Sequence, residues 1–157
     1  MRHPSLIPLS HDHHHGLALA LRCRKQALGQ IRPAGAEGVR QRVREAREFY
    51  ERNLVPHFCA EEKVLFPWLR ARAADSGALI DRLVAEHRRL AAAFEALEET
   101  GDAARRLFDL GDLLERHIRA EERQLFPLYE KNVRGEEGDR IGGEIERALE
   151  RGAKVSP

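Results

Sequence analysis

A chain of 157 residues with 27 Lys and Arg against 26 Asp and Glu is close to neutral, and no basic patch points to nucleic acid as its partner. Its two cysteines, Cys23 and Cys59, have no C-x-x-C spacing and give no disulfide framework, so free thiols in a reducing cytosol are expected. There is no run of 18 apolar residues and no signal-peptide core, which predicts a soluble, cytoplasmic protein with no membrane partner.

The length suits a single domain over residues 1–157, and the abundance of Ala, Leu, Arg and Glu is helical. Residues 1–9, with Pro4 and Pro8, read as an irregular lead-in. Ser10 or Asp12 can cap a first helix, which then runs to about Leu28 before Gly29 and Arg32-Pro33-Ala34-Gly35 break it. A second helix is predicted from about Glu37 to Phe66, with Pro56 as an internal kink and Pro67 as its approximate end. Asp75 or Ser76 can cap a third helix whose apolar stripe runs from Ile80 to Leu97 and includes His87. Thr100-Gly101-Asp102 separates it from a fourth helix, which frays near Lys131–Gly135. A short fifth helix, about 139–151, carries Ile141, Ile145 and Leu149 at i+4 steps and is expected to pack across the bundle end, with loose residues after it. Short links between long amphipathic helices predict an all-α, up-down-up-down four-helix bundle, its core over about residues 10–131, with the short C-terminal helix added.

One stretch occurs twice. Residues 57–69 and 117–129 share H-x-x-A-E-E-x-x-L-F-P, seven identities in thirteen positions. On a helix, residues four apart share a face, so His57 pairs with Glu61 and His117 with Glu121, each in line with a leucine at i+4, Leu65 or Leu125. A polar pair on a buried face costs several kcal/mol unless satisfied, and two such pairs facing each other suit a metal site. The alternative is that each Glu merely bonds its own His.

The first helix opens on His11, His13, His14 and His15, of which at most one or two can face inward. Periodicity does not separate His13 from His14. Gly16, three residues after His13, would leave room for a metal and an exogenous ligand, which favours His13. Glu86-His87 in the third helix loosely echoes Asp12-His13 in the first. The chain thus reads as two hairpins of similar plan, each with a helix bearing one His and a helix bearing His-x-x-x-Glu.

The candidate metal ligands are therefore His13, His57, Glu61, His87, His117 and Glu121. Six ligands related by a pseudo-twofold axis suit two metals, with the glutamates bridging. Nitrogen and oxygen donors without thiolate fit iron best, then manganese or zinc. The order His before Glu at i+4 differs from the Glu-x-x-His of ferritin-type sites.

These motifs resemble the hemerythrin-like family, also called the HHE cation-binding domain, over about residues 10–131. The resemblance implies a four-helix bundle holding two non-haem iron ions, oxo- or hydroxo-bridged, with O2, NO or peroxide as small ligand. It implies a role in sensing, storage or iron and redox handling. It departs at one point: O2-carrying members have two His four apart in the third helix, whereas Leu83 and Ala91 flank His87 here at that spacing. A metal then keeps an extra open position, or Glu62, Glu86 or Glu122 moves in. The leading expectation is a non-catalytic di-iron binding protein, monomer or homodimer. The competing readings are a di-iron oxidase or peroxidase using the open position, and a mononuclear or purely structural bundle.

Overall fold

The computed structural model describes residues 1–155, and within them the chain is all helical. Helix α1 is Ile7–Ala27. Helix α2 spans residues 35–72 and α3 is Gly77–Glu95. Helix α4 spans residues 103–132 and α5 is Glu136–Val155.

Several boundaries differ from the sequence reading. Residues 1–9 are not an irregular lead-in: Pro4–Leu6 form a 3-10 turn that feeds α1 at Ile7, with Pro8 in the first turn, where its missing N–H costs nothing. Neither Ser10 nor Asp12 caps α1; both lie inside it. The fifth helix is not short, and its 20 residues continue past Arg151 to Val155, where a loose tail was expected. Residues 156 and 157 of that expected tail lie outside the described residues.

Pro67 does not end α2. The helix passes through Pro56 and Pro67, as α4 passes through Pro127, because each proline follows a π-helical turn: Tyr50–Leu54, Glu61–Leu65 and Glu121–Leu125. In these turns the amide of Val55 donates to the carbonyl of Tyr50, Phe66 to Glu61, and Phe126 to Glu121, each five residues back. A proline ring in a regular α-helix collides with the carbonyl four residues earlier. One extra residue in the preceding turn relieves that collision without breaking the helix.

The core falls into two apolar clusters. One contains Leu9, Leu65, Leu83 and Leu125. The other contains Leu19, Leu54, Leu90 and Leu114. Helices α1 and α3 run from the first cluster to the second, while α2 and α4 run from the second to the first, which is the up-down-up-down order. α1 and α4 pack closely along their length. Gly111 allows this: a Cβ there would sit 2.6 Å from the carbonyl oxygen of Ala20.

Helix α5 packs lengthwise along the middle of α2 and onto the Pro4–Leu6 turn, rather than across the bundle end. It buries Ile141, Ile145 and Ala148. Gly152 seats it against Pro56, whose Cα would lie 2.7 Å from an added Cβ. No helix among the described residues is long and apolar enough to cross a membrane.

Candidate metal centre

Between the two apolar clusters lies a polar layer to which each of α1 to α4 contributes. His13 comes from α1, His57 and Glu61 from α2, His87 from α3, and His117 and Glu121 from α4; all six are at most 2 % exposed. Fully buried carboxylates and imidazoles in a helical core must find partners or destabilise the fold by several kcal/mol.

The layer divides into two overlapping groups: His13, His57, Glu61 and Glu121, and Glu61, His87, His117 and Glu121. Within each, one potential ligand atom per residue lies within 4.8 Å of all the others. The inner nitrogen Nε2 of His57 is 2.8 Å from Glu61, and that of His13 is 2.8 Å from Glu121. In the second group, His87 Nε2 is 3.1 Å from Glu61 and His117 Nε2 is 3.1 Å from Glu121. Both glutamates therefore stand between the two imidazole pairs.

These distances permit hydrogen bonds, yet both oxygens of Glu61, both of Glu121, and Nε2 of His87 and His117 have no partner in hydrogen-bonding geometry. Donor atoms that crowd together without pointing at one another fit a shared cation. Around one ion with bonds of about 2.1 Å, neighbouring donors at right angles lie about 3.0 Å apart. The donor set, four nitrogens and two carboxylates, fits a borderline or hard transition-metal ion. Neither thiol belongs to it: Cys23 and Cys59 are unpaired, and burial pushes the Cys23 thiol up to about 12.

The outer nitrogen of every imidazole meets a carboxylate. His13 Nδ1 is 2.8 Å from Glu122, and His57 Nδ1 is 3.0 Å from Asp12. His87 Nδ1 is 3.1 Å from Glu62, and His117 Nδ1 is 2.9 Å from Glu86. Such a bond fixes the ring and its tautomer, so that Nε2 faces inward as a lone-pair donor. Glu62, Glu86 and Glu122 thus do not fill the position left by the absent second His of α3. They stand behind the rings, and Leu83 occupies the core instead.

Phenylalanines close the layer. Phe126 stacks on His13 at 5.1 Å and Phe66 on His87 at 5.7 Å, while Phe58 stacks on His87 at 4.0 Å. Phe66 and Phe126 are the repeated phenylalanine of L-F-P, and each covers a histidine of the opposite half. Glu61 and Glu121 each open a π-helical turn, a local widening often found where helices carry functional groups.

His13 is the inward histidine of its run, while His11, His14 and His15 are exposed. The reason suggested by the sequence does not hold, however. The space beside Gly16 is filled by Ile118, whose Cδ1 would lie 2.7 Å from an added Cβ. Asp12, which the sequence offers as a helix cap and as the acid beside His13 that Glu86 echoes beside His87, instead meets His57, a partner on another helix.

A search of curated proteins and one of solved structures found no match. The family model for the hemerythrin HHE cation binding domain matches residues 5–129, and again 82–150, the second match falling on the half that carries the second copy of the repeat. With buried His and Glu clusters forming two adjacent sites in the bundle, and a family match over most of its length, the chain belongs to the hemerythrin HHE cation-binding family.

Proposed function

We propose that the chain is a single hemerythrin-like domain that holds two iron ions and binds O2 or a related diatomic, for sensing, storage or iron and redox handling. One observation carries this reading: four imidazoles and two carboxylates converge as two clusters that share both carboxylates. His13 and His57 would hold one ion and His87 and His117 the other, with Glu61 and Glu121 serving both. Iron is preferred because the donors are nitrogen and oxygen without thiolate; manganese and zinc are the alternatives.

Bound iron would supply redox electrons and a place for a diatomic ligand. The chain's own residues do the rest. Two imidazoles and two shared carboxylates give each ion four protein donors, fewer than octahedral iron takes, which leaves room for a small ligand. The outer carboxylates hold the rings in place, while Phe126 covers His13 and Phe66 covers His87. Asp12, Glu62, Glu86 and Glu122 are all committed to ring nitrogens, which favours binding over acid–base catalysis. The two free thiols suit a cytoplasmic setting.

The test is anaerobic loading with Fe(II), metal analysis, and a visible spectrum before and after air. Two irons per chain and new visible bands on exposure are expected, with both lost in His57→Ala and Glu121→Ala. Bands that reverse on removing O2 identify a carrier. One ion or none, or full iron retention in both variants, would sink the proposal.

A further inference from the structure

Three histidines of α1 take no part in the buried layer: His11, His14 and His15, all exposed. His11 and His15 are four residues apart and share a helix face, about 200° round from the inward His13. Their ring centroids are 4.6 Å apart, with the planes at 82°. His14 lies about 100° away round the helix, and its ring is 6.2 Å from that of His15.

Neither His11 nor His15 makes a hydrogen bond or ion pair with another described residue. Asp12, the acid within their span, is turned the other way, onto His57. Both rings therefore keep free donor nitrogens facing water. Two imidazoles at i and i+4 on one helix face have the spacing by which helices chelate transition metals. The backbone here is anchored by the buried Leu9, His13 and Gly16, so chelation has only side-chain rotamers to fix.

We propose that His11 and His15 form a second, solvent-facing metal site that takes one borderline divalent ion such as Zn2+, Ni2+ or Cu2+. A pair of imidazoles without a carboxylate discriminates against Mg2+ and Ca2+, and binds Mn2+ and Fe2+ least among the transition metals. The helix would then present different chemistry on its two faces: a mixed imidazole and carboxylate centre inside and a nitrogen-only chelate outside.

The test is calorimetric titration of Zn2+ into chelator-stripped full-length protein, as wild type, H11A/H15A and H14A. Wild type and H14A should each bind one more Zn2+ than H11A/H15A. Because the readout is a difference between variants, it holds however many ions the buried clusters take. Equal stoichiometry in wild type and H11A/H15A would overturn the proposal, as would loss of the extra ion in H14A.

Discussion

The outer nitrogen of His13, on α1, rests 2.8 Å from a carboxylate oxygen of Glu122, on α4. The same relation recurs between His87 on α3 and Glu62 on α2, at 3.1 Å. Each copy of Ala-Glu-Glu therefore sends its first glutamate into the shared layer and its second across to the other hairpin. Asp12 and Glu86 complete the pattern within each hairpin, on His57 and His117. Neither half orients all of its own imidazoles.

Glu122→Gln and Glu62→Gln should accordingly weaken metal binding by about 10–100-fold while leaving the helical content intact. Competition against a chelator of known affinity measures this. Unchanged affinity in both variants would mean that the carboxylates play no part in holding the rings.

Removing metal should lower thermal stability. At metal 100-fold above its Kd the bound state gains about 2.7 kcal/mol. For a chain of this size that corresponds to about 5–10 °C in Tm. Melting curves that do not move when loaded protein is stripped would leave His57, Glu61, His117 and Glu121 as core hydrogen-bond partners only.

The metal-free protein should lose stability as pH rises. Burial alone lowers the His87 pKa, but Glu121, Glu61 and Glu62 outweigh it and raise it to about 11; Glu121 and Glu86 likewise raise His117 to about 9. Groups raised above an ordinary 6.5 contribute stability that is full below that pH and lost as pH passes through 9 and then 11. A metal ion needs the rings neutral and so competes with those protons. The Tm gap between Zn2+-loaded and metal-free protein should therefore widen from pH 6 to 8.5, and a constant gap would contradict this.

Gly111→Ala places a methyl group against the backbone of Ala20 and should cost about 1–3 kcal/mol, despite the better helix propensity of alanine. Because α1 carries His13, the displacement should also weaken metal binding. Chemical denaturation and metal titration of the same variant test both; wild-type values in each would show that α1 and α4 can separate freely.

The pairing of His57 with Glu61 and of His117 with Glu121 was legible in the sequence because it is local: four residues on a helix bring two side chains together whatever the rest of the chain does. The exchange of Glu62 and Glu122 was not, because it depends on how four helices face one another. That His13 is the inward histidine of its run could be read, but for the wrong reason, since only packing shows that Ile118 fills the space beside Gly16. Pro67 misled because the rule against proline in helices assumes an α register, and the π-helical turn before it supplies another. The length of α5 was missed because Gly152, directly after Arg151, is the residue type that usually ends a helix, whereas here it lies inside one and seats it on Pro56; that packing on α2 is non-local.

The residues of the polar layer run from position 13 to position 121, so an ion held among them ties together points over a hundred residues apart in sequence. In an unfolded chain, closing so long a loop is entropically costly, and the cost is removed for as long as the ion stays bound. The ion is thereby a reversible cross-link, comparable in kind to a disulfide spanning most of the chain, and one that needs no oxidising compartment. Unfolding of a loaded protein must therefore either release the ion or carry that constraint into the unfolded chain.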